Sequence, residues 1–234
     1  ASVMRNQNKV LETSQALKDA QKAIQNGTVS PGVLYVEGYS SKAIWVVPSL
    51  GIDPGTGKEL YMGRDGLATY VWNGADVKAV GSAEPKMFGN FSTMVRYKDF
   101  ALNASFRYNR GGQQYNETLV NRVETGNYKY NVDSRVYYSR WQQAGDIAAF
   151  KGLLVTGETS KTSRFVQDEN TLVCQNINLQ YDLRSKPLLK KLGMQALNLT
   201  ADVSEPLYLS TIRRERGTAY PFALQFSFSI NATF

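Results

Sequence analysis

The stretch Gly51-Ile-Asp-Pro-Gly-Thr-Gly57-Lys58-Glu59 has the glycines and the lysine of a phosphate-cradling loop, yet it fails two requirements of that chemistry. Five residues rather than four separate Gly51 from Gly57, and Glu59 stands where a Ser or Thr must reach magnesium. Asp53, Asp65 and Asp76 are loop carboxylates without the alternate-position spacing of a calcium loop, so they read as solvated turn residues. The chain contains no His, which removes the commonest metal ligand and the commonest general base. Its single Cys, Cys174, excludes an internal disulfide and a thiolate zinc cage. No carboxylate pair, Ser/His set or Cys/His set has catalytic spacing, so the chain reads as a non-enzyme with no metal and no cofactor.

Binding chemistry is better represented. Tyr137, Tyr138, Arg140 and Trp141 lie close together ahead of Gly145-Asp146, and aromatic faces beside polar groups are how proteins hold sugars and peptides. The competing role for the same residues is packing the loop against its neighbours. Asn-x-Ser/Thr triplets begin at Asn26, Asn90, Asn103, Asn116, Asn198 and Asn231. Three of these asparagines lie on the polar parity of strands, where Asn, Ser and Thr line a wet interior.

Those residues must be positioned by strands. Gly (19) and Tyr (14) are frequent, aromatics make up 12% and hydrophobic residues 42%, a mixture that favours turns and strands. No window approaches 18 consecutive apolar residues, so a membrane helix is excluded, but a spanning strand needs only about 9–11 residues with every second one apolar. From Phe222 to Phe234 one parity reads Phe, Leu, Phe, Phe, Ile, Ala, Phe, while the other is mostly polar. Globular strands typically run about 5–6 residues, so this length favours a membrane strand. The same alternation recurs near 87–97, 99–109, 171–183 and 194–203. Arg96 and Arg107 lie on the polar parity with Asn103, Asn178 and Asn198; an Arg facing lipid at mid-bilayer costs roughly 2–4 kcal/mol, so all five are expected to face a lumen.

Connections alternate between short and long, as in a bilayer-spanning barrel with short periplasmic turns and long outer loops. With a periplasmic C-terminus, 204–218 and 110–170 are outer loops, whereas 97–99 and 184–193 are periplasmic turns. The predicted division is therefore 1–86, an extracellular loop region with one short helix over Asn6–Ile24, and 87–234, barrel strands that include the extracellular loop 110–170. The chain enters mid-pattern at Ala1 and reads as a piece of a longer protein. A formal charge of +7 does not imply nucleic acid, because Arg184, Lys186, Lys190 and Lys191 fall in one turn and Arg213, Arg214 and Arg216 in another loop, forming no single stripe.

Glu37-Gly38, Gly51 to Gly57, Asp65-Gly66, Gly81 through Pro85 to Gly89, Tyr97-Lys-Asp-Phe100, Phe106 to Gly112 with Tyr115-Asn116, Arg140-Trp141 with Gly145-Asp146, and Tyr208 to Phe234 occur in one order. In this combination the chain resembles the SusC/RagA-like TonB-dependent outer-membrane transporters of Bacteroidota. The resemblance implies an all-β, antiparallel transmembrane β-barrel segment, about five C-terminal strands of a 22-stranded barrel, in a Gram-negative outer membrane. It also implies a SusD-like lipoprotein lid, glycan or peptide cargo, TonB coupling through an N-terminal part outside this chain, and Phe234 as part of the assembly signal. An independent β-rich surface adhesin or structural domain is the alternative reading.

Overall fold

The computed structural model describes residues 1–25, 34–127, 129–155, 159–184, 187–191, 193–212 and 224–234. In chain order the elements are α1 (Gln15–Gln25), β1 (Ala43–Val46), β2 (Ser49–Ile52), β3 (Glu59–Met62), β4 (Ala68–Thr69), β5 (Lys78–Ser82), β6 (Met87–Tyr97), β7 (Phe100–Tyr115), α2 (Glu117–Leu119) leading into a π-helical turn (Val120–Glu124), α3 (Arg135–Tyr138), β8 (Val166–Arg184), α4 (Pro187–Lys191), β9 (Ala196–Ser210) and β10 (Gln225–Thr233). No helix among the described residues is long and apolar enough to cross a membrane, which says nothing of strands. The chain forms two compact units: Ala1–Asn6, Pro85–Gly111 and Glu169–Phe234 make the first, Gln7–Glu84 and Gly112–Asp168 the second.

The first unit is a sheet meander in the order β10-β9-β8-β7-β6. Lys98-Asp99 alone joins β6 to β7, with Tyr97 opposite Phe100, and Lys98 adopts the left-handed φ of 53° that primed hairpin turns use. Register keeps polarity on one side across the sheet. Phe91 faces Phe106, Ile177 faces Val203, Leu179 faces Ala201, and Phe228 faces the same Ala201 from the other flank. Aromatic pairs fasten that face: Phe91 stacks on Phe106 at 4.7 Å and Phe100 on Tyr181 at 4.4 Å between ring centroids. Ser2 to Met4 lie on the other edge of β6 through Ser2 N–H to Asn90 O and Met4 N–H to Phe88 O, both 2.7 Å. Gly89 permits this approach, since a Cβ there would sit 2.1 Å from the Ser2 carbonyl oxygen.

Three strands outrun their sequence patterns. β7 continues past Gly111, whose N–H turns to the Asn170 side chain at 2.8 Å, so the Gly pair forms an irregularity instead of ending the strand. β9 continues past residue 203 because Glu205, at φ 48°, starts a bulge in which Pro206 needs no ladder partner. β8 begins at Val166, so the expected loop 110–170 is strand at both ends. The final strand is observed from Gln225; residues 213–223, including Phe222, Arg213, Arg214 and Arg216, lie outside the described residues, as does Lys186.

The second unit holds a β1–β5 pair and a three-stranded sheet ordered β2-β3-β4. The block before residue 87 therefore carries short strands as well as its helix. The helix is also shorter than the predicted Asn6–Ile24. Residues 8–13 bond to 37–41 instead: Val10 N–H reaches Tyr39 O, Gly38 N–H reaches Val10 O, and Thr13 N–H reaches the Glu37 carboxylate at 3.0 Å. Ser14 then caps α1, its Oγ accepting from Leu17 N–H. The apolar core of this unit gathers Leu119, Val120, Val123, Val136, Phe150 and Phe165, with Tyr115 packed against it.

Candidate functional site

Local chemistry shapes the aromatic loop of the second unit. Asp133 accepts from the Arg135 N–H and Nε at 2.9 Å each, starting the turn that becomes α3. Asp146 accepts from the N–H groups of Gln142 and Gln143, and Gly145, at φ 100°, donates to Pro54 O at 2.9 Å. Between these turns the chain points Tyr137 and Tyr138 outward and Arg140 inward.

Arg140 is 8% exposed. Its Nε donates to Val136 O at 2.7 Å, Nη1 to Lys151 O at 3.0 Å, and Nη2 to Val123 O at 2.8 Å and to Glu124 O. A guanidinium committed to four backbone carbonyls shapes the loop and has no fork left for cargo. Of the four residues read as a binding surface, Arg140 is thus turned inward, while Tyr137 and Tyr138 are exposed. Trp141 is half-buried; its Nε1 donates to Pro54 O at 2.8 Å, and a Cβ on Gly57 would lie 2.5 Å from its ring. The Gly51–Gly57 stretch is therefore a hairpin tip fitted under an indole. Asp53 organises that tip, accepting from Thr56 Oγ1 (2.6 Å), Tyr70 Oη (2.7 Å) and Gly55 N–H (3.0 Å). These bonds, Thr56 first, hold its carboxyl down at about 2.

Tyr137, Arg140 and Trp141 share a cleft of about 370 Å³ with Leu153, Leu154 and Val155, while Tyr138 lies outside it with its ring edge-on to Tyr137 at 5.3 Å. The three aliphatic residues went unnoticed in the sequence because they form no periodic pattern.

Beneath the loop lies a buried ionic knot that sequence spacing did not reveal. Arg164 Nη2 binds Glu59 Oε2 at 2.9 Å and Glu124 Oε1 at 2.7 Å, and Lys151 Nζ lies 3.9 Å from Glu124. Thr162 Oγ1 and Ser49 Oγ donate to the remaining Glu59 oxygen at 2.8 and 2.7 Å. Glu59 and Glu124 are 3% and 4% exposed, so pairing is what keeps their charge tolerable. Burial, with Glu59 adding to it, pushes the nearby Tyr61 hydroxyl up to about 12.

In the first unit side chains of the polar parity bond to one another in two groups. Asn103 donates to Asn178 at 3.4 Å, Asn178 to Asp202 at 2.7 Å, and Asn198 to Asp182. Arg96 stands opposite Ala101 and Arg107 opposite Asn90, both exposed on that parity. Phe234 is exposed just beyond β10. No cluster of His, Cys, Asp or Glu among the described residues has metal-binding geometry.

No protein-family model matches the chain. The TonB-dependent receptor P3 of Formosa agariphila is 28% identical over 151 residues, 64% of this chain and 14% of that protein. The RagAB peptide importer in its open-open state superposes with a TM-score of 0.67 at 18% identity, over 85% of this chain and 23% of that one. Its closed-closed state gives 0.63 at 17% identity, over 85% and 24%. This chain thus spans a seventh to a quarter of the proteins it matches, a receptor and an importer by name. Over these shares the chain is similar in sequence to a TonB-dependent receptor and in fold to part of the RagAB peptide importer.

Proposed function

We propose that the chain forms wall and loops of an outer-membrane transporter that imports oligosaccharides or peptides under a SusD-like lipoprotein lid, driven through TonB. One observation carries this reading: the five-stranded sheet is apolar on one parity, and large side chains of that parity are exposed on four of its strands, Val95 at 56%, Leu102 at 40%, Leu179 at 44% and Phe228 at 79%. Water penalises such a face and lipid does not. Asn103, Arg107, Asn178 and Asn198 then line the lumen together with Arg96. Residues 110–170 and the block before 87 lie outside the cell, the C-terminus is periplasmic, and Tyr137, Tyr138 and Trp141 present the loop surface to cargo or lid. The similarity to a TonB-dependent receptor and to peptide importers supports this assignment.

Spin labels in the full-length protein test it. Labels at Leu102, Phe106, Leu179, Leu199, Phe226 and Phe228 should relax with oxygen, and labels at Asn103, Arg107, Asn178, Asn198, Gln225 and Ser227 with a water-soluble agent. Equal accessibility of the two sets, or a monodisperse water-soluble protein, rejects the membrane wall in favour of a surface adhesin. An epitope tag near Asn127 should be labelled on intact cells; labelling only after the outer membrane is breached inverts the topology.

A further inference from the structure

Where alternation runs unbroken, charged residues keep to the polar face of the five-stranded sheet, with one exception. On the apolar parity of β7, the run Phe100, Leu102, Ala104, Phe106 and Tyr108 is followed by an exposed Arg110. The same parity carries no charge along β6, β8 from Ile177 to Leu183, β9 from Leu197 to Val203, or β10. Arg110 stands opposite Met87. On the other flank of β6 the first residues of the chain run antiparallel to it, with Met4 bridging Phe88, so Arg5 falls at the position opposite Met87 from that side. Arg5 is exposed too. Two arginines thus flank one methionine in a single row, about 10 Å apart across two strand spacings. Neither forms an ion pair or a side-chain hydrogen bond among the described residues.

The height of this row decides what it meets. β6 has 11 residues from Met87 to Tyr97. At about 3.3 Å per residue and a tilt of about 40°, that length climbs about 25 Å, the height of a barrel's apolar band. The arginine row and the exposed Tyr97 therefore mark its two boundaries. One step inside the row, Tyr108 reaches across Gly89 and donates its hydroxyl to Ser2 O at 3.2 Å, an aromatic at the level where interfacial girdles form. A cation on the lipid-facing side at this level lies among headgroups. With no carboxylate of this chain engaging them, the two forked guanidiniums match the oxygens and charge of a phosphate.

From this row we propose that Arg5 and Arg110 together bind the phosphate of an outer-leaflet lipid headgroup, seating one lipid over Met87 with its acyl chains along Phe91 and Phe106. The assignment rests on the transporter reading, which makes this the outer end of the sheet.

The test uses the full-length transporter in dodecyl maltoside, a detergent without phosphate. Native mass spectrometry follows binding of monophosphorylated lipid A, of the same lipid with its phosphate removed, and of inorganic phosphate. The phosphorylated lipid is expected to bind about 30-fold more tightly than its dephosphorylated form, the scale of two arginines beside an anionic headgroup. The double variant R5Q/R110Q should lose that preference and R5K/R110K should keep most of it. K86Q removes an equal charge one residue from Met87 on the polar parity, and should keep all of it. Equal affinity of the unsubstituted protein for both lipids, or an equal loss in K86Q, overturns the proposal. Binding of inorganic phosphate that R5Q/R110Q weakens makes the row a site for the free anion and overturns it as well. Spin labels separate the two levels: labels at Phe226 and Phe228 that relax with oxygen, without a phosphate preference, reject only this inference, whereas labels there that relax with the water-soluble agent reject the transporter reading beneath it.

Discussion

Arg140 is buried and Arg164 is largely enclosed in the second unit, and their surroundings assign them different structural duties. Arg140 ties four carbonyls from three chain segments, whereas Arg164 neutralises two buried carboxylates. Replacing Arg164 with Met leaves Glu59 and Glu124 short of a counter-ion, and the expected loss is about 3–5 kcal/mol, the cost of breaking a buried pair. Urea unfolding followed by protease sensitivity of the second unit measures it; a loss no larger than that of Y138A, expected within about 0.5 kcal/mol of zero as a surface change, defeats the account. Asp53 adds a pH dependence of determined sign. Its carboxyl is held at about 2 rather than 3.8, so its stabilisation of the hairpin tip is complete above pH 4 and is lost as pH falls from 4 to 2. Amide exchange at Gly55 should therefore accelerate over that window, and in D53N the pH-dependent step should vanish.

At the scale of the element, β8 and β9 offer a matched pair of neighbouring positions. Leu199 lies on the apolar parity opposite Tyr181, and Thr200 on the polar parity opposite Gln180. An Arg on the lipid face near mid-bilayer costs roughly 2–4 kcal/mol, while one on a lumen face is solvated. Leu199→Arg should therefore destabilise the full-length barrel by that amount in heat-modifiability or denaturant measurements, and Thr200→Arg by much less. Equal effects mean that the two faces see the same solvent. The bulge at Glu205 belongs to this scale as well, because it lets β9 pass a proline that would otherwise have ended its ladder.

For the whole molecule the decisive question is assembly. β10 is exposed along its full length, and Phe234 follows it on the apolar parity. On the transporter reading, a strand with apolar side chains at alternate positions before Phe234 offers what a strand-pairing assembly partner engages. Deleting Phe234 in the full-length protein should sharply reduce folded, surface-exposed barrel and leave the polypeptide in the periplasm. Normal assembly with slightly lower heat stability instead makes Phe234 one member of an interfacial aromatic girdle.

The sheet was legible in the sequence because alternation is a local property. The strand that starts at Met87 and the one that turns back after Lys98-Asp99 declare their two faces residue by residue, and a two-residue link leaves no other pairing. The SusC/RagA resemblance was legible too, since it rests on motifs in fixed order. Tertiary structure decided the site. Arg140 lies between an exposed Tyr138 and a half-buried Trp141 with no period to say which way it turns, and only the converging carbonyls of residues 123, 124, 136 and 151 draw it inward. Glu59 and Arg164 are 105 residues apart, and Glu124 joins them from a third segment. Such a knot leaves no trace in spacing, because its stability comes from removing three charges from water together, which happens only once the fold has brought them into contact.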